Sequence, residues 1–131
     1  MTRFLGRIEE PIFAVMRLVF GALFACHGAQ KLFGALGGKP QLHNPMMLTA
    51  GIIEFFGGLL IALGLVAGLA AFIACGEMAV AFFMAHFPHG FWPIENRGEP
   101  AVLYCFFFLY VAAHGSGRFS LDALLWRKTG V

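Results

Sequence analysis

The stretch Arg17-Leu-Val-Phe-Gly-Ala-Leu-Phe-Ala-Cys-His-Gly-Ala-Gln-Lys31 is apolar enough to lie in a bilayer, yet it contains two cations. At 100° per residue, one stripe of a helix carries both cations with small and aromatic residues between them: Arg17, Gly21, Phe24, Gly28 and Lys31. An ion that faces lipid costs roughly 2.5–3.5 kcal/mol even on lenient scales. The stripe is therefore expected to face other protein, and acidic partners are expected elsewhere in the chain.

The composition of the chain is that of a membrane protein. Of its 131 residues, 60% are hydrophobic and 12% are charged, whereas soluble domains contain about 25% charged residues. The formal net charge is only +2 and the basic residues form no patch, so the sequence gives no sign of nucleic-acid binding. The short length and the four apolar runs predict a single domain over residues 1–131.

Apolar runs separated by glycine- and proline-rich breaks predict an all-α fold, a four-transmembrane-helix bundle in a lipid bilayer. The predicted spans are residues 11–33, 46–66, 69–87 and 100–114. Residues 46–88 are too long for one crossing, and Gly68 divides them evenly.

A short C-terminal interfacial helix is predicted after the fourth span. Ser120 can cap a helix over residues 121–128. Trp126, Arg127 and Lys128 are suited to anchor that helix at the membrane interface.

The basic residues outside the spans predict the orientation of the bundle. An even number of spans puts both termini on one side, and that side carries more basic residues: Arg3, Arg7, Arg118, Arg127 and Lys128. The other side carries Lys39 and Arg97. By the positive-inside rule, we expect a multi-pass inner-membrane protein with both termini cytoplasmic.

Two glutamates inside other apolar runs can neutralise the two cations. Similar depth in the bilayer predicts the pairs Arg17–Glu77 and Lys31–Glu54, and the pairing Arg17–Glu54 is an alternative if the helices shift in depth. Such pairs can simply fix helix packing, or they can form a functional site, because ionisable residues inside a membrane are functional candidates.

The histidines and Tyr110 extend the list of candidate site residues. His27 precedes Lys31 by one turn, and Tyr110 and His114 share a face of the fourth span. His86 and His89 flank a proline, which does not favour a haem or metal site. A cavity with aromatic, histidine, arginine and glutamate residues suits a flat redox ring with two carbonyl oxygens, such as a quinone.

The cysteines give no sign of redox chemistry. Cys26, Cys75 and Cys105 fall in different apolar runs, and the chain contains no C-x-x-C motif. We expect each of them to be a small buried side chain, as free cysteines commonly are.

Several motifs, taken in order, resemble the DoxX family of small four-helix membrane proteins. They are Arg17 followed by His27-Gly-Ala-Gln-Lys31-Leu-Phe-Gly34, then Glu54-Phe-Phe-Gly-Gly58, Glu77, and the ending His114-Gly-Ser-Gly117-Arg-Phe-Ser-Leu-Asp122. The founding member of that family looks like a subunit of a thiosulfate:quinone oxidoreductase. The resemblance therefore implies a quinone-linked redox role, with a soluble redox partner protein for the other half of the reaction.

These observations lead to one functional hypothesis and two alternatives. In the leading hypothesis the chain is a quinone-linked oxidoreductase component in which Glu77, Glu54 and His27 act as catalytic proton carriers. The quinone would be bound by Arg17, Lys31, His114 and Tyr110. The alternatives are a non-enzymatic scaffold that recruits a soluble redox enzyme, and a small transporter that relays protons through its carboxylates and assembles as a homo-oligomer.

Overall fold

The computed structural model describes the backbone of residues 1–128 and the side chains of residues 1–126. Every regular element in that part of the chain is a helix: α1 (Thr2–Arg7), α2 (Glu9–Phe33), α3 (Pro45–Leu63), α4 (Ala67–His89), α5 (Pro93–Asn96), α6 (Glu99–His114) and α7 (Leu121–Lys128). The predicted all-α fold and the short C-terminal helix are confirmed. The proposed anchoring by the side chains of Arg127 and Lys128 lies outside the described residues.

Three of the helices are long and apolar enough to cross a membrane. α2, α3 and α4 have mean hydropathies of 1.8, 2.0 and 1.9 over their 18-residue apolar segments. At most 33% of each segment is buried inside the protein. Most of their apolar surface therefore faces outward, as in a helical membrane protein. α6 is also apolar but has only 16 residues.

The turn between α3 and α4 lies earlier than the hydropathy pattern predicts. α3 ends at Leu63 because Gly64 adopts a left-handed conformation with φ 72°, and Val66 is also left-handed with φ 44°. α4 then begins at Ala67. The predicted second span was three residues too long, because hydropathy does not detect a left-handed turn inside an apolar run.

The helices pack through small residues at close approach. A Cβ added at Gly21 would lie 2.5 Å from the backbone nitrogen of Ala62, and one at Gly58 would lie 2.5 Å from that of Ala25. α2 and α3 therefore touch backbone to backbone, as small residues allow in membrane helices. α4 packs along α6 with a row of buried alanines, and the largest fully buried side chains of the core are Phe24, Phe108, Ile61 and Val111.

The long helices alternate in direction. At each end of the bundle, hydrogen bonds connect segments that are distant in sequence. At the end that carries the N-terminus, the amide of Asp122 donates to the Gly64 carbonyl at 3.0 Å, and the amide of Ala67 donates to Ser116 Oγ at 3.2 Å. At the opposite end, His86 Nδ1 lies 3.1 Å from the Asn96 carbonyl oxygen. The segments on either side of α6 are therefore hydrogen-bonded to the two ends of α4.

Two of the long helices contain a π-helical segment. Residues Ile53–Gly57 of α3 and Phe82–His86 of α4 are π-helical. A π segment places an extra residue in the turn, redirects the neighbouring side chains and occurs frequently at functional sites. Glu54 lies in the first segment and His86 in the second.

Candidate functional site

A cavity of about 710 Å³ lies between α2, α3, α4 and the beginning of α6. Most of its lining is apolar. The polar side chains among the lining residues are His27, Lys31, Thr49, Glu54, Glu77, His86 and Tyr104. Both π-helical segments contribute to the wall, so the irregular parts of α3 and α4 meet at the same place.

Lys31 and Glu54 form an ion pair in the cavity. Lys31 Nζ lies 2.6 Å from Glu54 Oε2, and the two side chains are 20% and 4% exposed. The predicted Lys31–Glu54 pair is confirmed. The flexible stem of the lysine reaches from the last turn of α2 to the π segment of α3, and this contact satisfies a carboxylate that is almost fully buried.

Glu77 joins this pair from α4. The charges of Glu54 and Lys31 both act on its carboxyl group. Among the described residues, no hydrogen-bond partner reaches the buried Glu77 Oε2. Two carboxyls and one ammonium carry a net negative charge if both acids are ionised, so the uptake of one proton by the cluster would make it neutral.

Tyr104 is a cavity residue that the sequence analysis missed. It is only 9% exposed, and its ring lies perpendicular to that of His27 with centroids 6.1 Å apart. His27 itself is exposed. Ala101, Tyr104, Phe108 and Val111 form the buried stripe of α6. The sequence does not mark this stripe, because α6 carries apolar residues on all of its faces.

The predicted Arg17–Glu77 pair is wrong, and so is the alternative pairing with Glu54. Arg17 is buried at 3% exposure, but its guanidinium donates to three backbone carbonyls. Nε donates to Ile61 and Nη2 to Phe119, both at 2.9 Å, and Nη1 donates to Ser116. A planar guanidinium can satisfy several acceptors at once, so it needs no carboxylate in direct contact.

Residues 115–122, which we call the C-terminal strap, supply most of this arrangement around Arg17. Ser116 Oγ donates to Asp122 Oδ2 at 2.6 Å, and the same oxygen accepts the Val66 amide at 2.9 Å. The Arg118 amide donates to Glu10 Oε2 at 2.9 Å. The charges of Asp122 and Glu10 also act on Arg17. The buried cation is therefore balanced at this end of the bundle and not in the cavity.

Two other candidates also lie at this end. Tyr110 is 51% exposed, and its ring packs edge-on against Phe13 with centroids 5.9 Å apart. His114 lies over the same phenylalanine at 4.0 Å, and its Nε2 is 3.5 Å from Glu10 Oε1.

The cavity thus brings together four of the seven candidates: His27, Lys31, Glu54 and Glu77. Arg17, Tyr110 and His114 are not among the residues that line it. Over residues 1–126, no three His, Cys, Asp or Glu side chains converge in a group that could hold a metal ion.

The fold and the cavity define a small helical membrane protein with an ionisable cluster inside an apolar chamber. Residues 12–87, more than half of the chain, match the family model named DoxX, and the chain belongs to that family. A protein of Haemophilus influenzae that carries the name "Uncharacterized protein" is 39% identical over 127 residues, covering 91% of this chain and 95% of the relative. No solved structure matches the chain significantly.

Proposed function

We propose that the chain is the inner-membrane component of a quinone-linked redox system and that the quinone headgroup binds in the cavity. The observation that carries this proposal is the cluster of Lys31, Glu54 and Glu77, with the unpartnered Glu77 Oε2 buried beside an apolar chamber. A buried polar atom without a partner is costly. The reduced form of a quinone carries hydroxyl groups that can donate to this oxygen and remove the cost.

The chemistry of the cavity suits a ligand of this kind. A quinone head is flat and apolar apart from two carbonyl oxygens, which only accept hydrogen bonds. The cavity offers donors in the Lys31 ammonium, the Tyr104 hydroxyl and the His27 imidazole. Its volume of about 710 Å³ falls within the usual range for small-molecule pockets, about 300–1,000 Å³.

The rim of the cavity favours entry from the bilayer. Ile73, Val80 and Met84 on α4 and Met46 on α3 line the cavity and are also exposed. An opening with apolar side chains on both of its sides is accessible to a molecule dissolved in the hydrocarbon of the membrane. A hydrophilic substrate would have to cross that rim without polar contacts.

Four polar residues of the cavity have roles that their positions support. A bound quinone supplies the chemistry of accepting two electrons and two protons. Glu54 and Glu77 are the proton carriers of the cavity, and Lys31 fixes the Glu54 carboxylate and presents a positive charge to the chamber. His27 lines the same cavity one turn from Lys31, so it can exchange a proton with a ligand bound there.

We also propose that α6 completes a bundle with four membrane crossings. At 1.5 Å per residue, its 16 residues extend about 24 Å, somewhat less than the roughly 30 Å hydrocarbon core. The segments that flank α6 are nevertheless hydrogen-bonded to both ends of α4. This arrangement favours a crossing by α6 at the same depth as α4. With four crossings, the excess of basic residues at the end that carries the termini favours a cytoplasmic location for both, where a soluble redox partner would meet the protein.

Quinone binding is testable on the purified protein in lipid nanodiscs. A short-chain quinone is titrated while tryptophan fluorescence or heat is followed, and lipid extracts of the untreated protein are searched for bound quinone. We expect Glu77→Gln to weaken binding about tenfold, which is about 1.4 kcal/mol, because the amide keeps the size of the side chain but cannot take up or release a proton.

The control is Glu95→Gln, which removes an exposed glutamate outside the cavity and is expected to leave the affinity unchanged. Tyr104→Phe tests the hydroxyl donor without a large change in volume. Equal affinities in the parent protein, Glu77→Gln and Tyr104→Phe would remove the quinone from this cavity.

A further inference from the structure

We propose that Cys75 and Cys105 are an oxidation site, a thiol pair that closes reversibly to a disulfide between α4 and α6. The oxidant that fits a pair inside the bundle is an organic hydroperoxide dissolved in the membrane. This inference does not depend on quinone binding, because neither cysteine is among the residues that line the cavity.

The two sulfur atoms already touch. Cys75 Sγ and Cys105 Sγ lie 3.7 Å apart, and both residues are half-buried. A disulfide bond has a length of about 2.05 Å, so the sulfurs must approach by about 1.7 Å. Small rotations of two cysteine side chains can supply a movement of this size.

The packing of the two helices explains why residues 30 positions apart in sequence meet. α4 presents a row of small buried side chains, Ala67, Ala70, Ala71 and Ala74, and the fully buried Phe108 and Val111 come from α6. Small residues let membrane helices approach closely. Cys75 and Cys105 pack at the edge of this contact, so their sulfurs are held on facing helices.

The oxidation balances with one hydroperoxide for each pair. One thiol gives up its proton as its sulfur attacks the terminal hydroperoxide oxygen and the O–O bond breaks. The alkoxide takes that proton and leaves as an alcohol, so that the cysteine becomes a sulfenic acid. The second thiolate attacks that sulfur, the S–S bond forms, and hydroxide leaves and takes up a proton as water. Two thiols and one hydroperoxide thus give one disulfide, one alcohol and one water.

The position of the pair gives the bond a structural effect. Cys75 lies two residues before Glu77, and Cys105 directly follows Tyr104. A disulfide would therefore join the helices that carry two polar residues of the cavity. Oxidation would fix the separation of α4 and α6 beside that wall.

The protein in lipid nanodiscs can be treated with cumene hydroperoxide, unfolded in SDS, and labelled with a polyethylene-glycol maleimide that shifts each free thiol on a gel. The chain has three cysteines. We expect the label count of the parent protein to fall from three to one after oxidation and to return to three with dithiothreitol. Mass spectrometry is expected to find a linked peptide pair containing Cys75 and Cys105.

Cys26, on α2, provides the matched control. Cys26→Ala is expected to fall from two labels to none, whereas Cys75→Ala and Cys105→Ala are expected to keep both of their labels in monomeric protein. Retention of three labels by the oxidised parent protein, or a linked peptide that contains Cys26, would overturn the proposal.

Dibromobimane gives a second measurement on the parent protein and needs no variant. It becomes fluorescent when it bridges two nearby thiols. A bridged peptide that joins residues 75 and 105 supports the pair, and labelling without any bridge contradicts it.

Discussion

Lys31 on α2 and Glu54 in the π segment of α3 meet at 2.6 Å, and the glutamate side chain is only 4% exposed. The pair therefore joins two helices at a place where the carboxylate has little access to water. Removing one member of a buried ion pair is far more damaging than removing both, because the remaining charge is left without compensation.

Lys31→Met is expected to lower the free energy of unfolding by about 3–5 kcal/mol, since Glu54 then loses its cation. The measurement is reversible SDS unfolding in mixed micelles. Lys39→Met, which removes an exposed lysine in the loop before α3, is expected to change stability by less than about 0.5 kcal/mol. The double variant Lys31→Met/Glu54→Gln should recover much of the loss, and strictly additive losses would contradict the pairing.

Arg17→Lys is expected to destabilise the C-terminal strap while leaving quinone affinity unchanged. A lysine keeps the charge but cannot reach three carbonyls in one plane, and hydrogen bonds to charged groups contribute about 1.5–3 kcal/mol each. We expect faster trypsin cleavage after Arg118, followed on a gel. Arg3→Lys, at an exposed position of α1, serves as the control. In this variant, cleavage after Arg118 should proceed at the parental rate.

Gly58→Ala is expected to destabilise the α2–α3 contact, whereas Gly57→Ala is expected to be tolerated. A Cβ at Gly58 would lie 2.5 Å from the Ala25 nitrogen and 2.6 Å from the Gly21 oxygen, but one at Gly57 meets nothing within 4 Å. Overpacking typically costs about 1–3 kcal/mol. Thermal unfolding in detergent compares these adjacent positions, and similar losses in both variants would mean that the close approach is not responsible.

Fusions to reporter proteins test whether α6 crosses the membrane. Four crossings with cytoplasmic termini predict a fluorescent GFP fused at the C-terminus and an active alkaline phosphatase fused at Leu42, in the loop between α2 and α3. Three crossings would reverse only the C-terminal result. Active phosphatase at the C-terminus would therefore show that α6 does not span.

Hydropathy and helix-breaking residues predict most of the fold. The bounds of α2, α6 and α7 agree with the prediction to within two residues, because long apolar runs between glycines and prolines leave few alternatives. The π segment around Glu54 was not predicted, because a π turn differs from an α turn by one residue of register and has no distinct composition.

The partner of Lys31 was predicted correctly, but the partners of Arg17 were not. Depth in the bilayer was sufficient for Lys31 and Glu54. It failed for Arg17 because side-chain charges were matched only with each other, whereas the actual acceptors are backbone carbonyls of residues 61, 116 and 119. Depth alone also does not specify the rotation of α4, which turns Glu77 toward Glu54.

The hydrogen bonds between Arg17 and the C-terminal strap constrain the order in which the protein can fold during its synthesis. Arg17 enters the membrane early in synthesis, but two of its three acceptors, at residues 116 and 119, are among the last parts of the chain to be translated. Until those residues leave the ribosome, the insertion machinery or lipid headgroups must supply the hydrogen-bond acceptors for this cation. A nascent chain that stops short of residue 116 would expose an unsheltered arginine, which is a feature that membrane quality control can recognise.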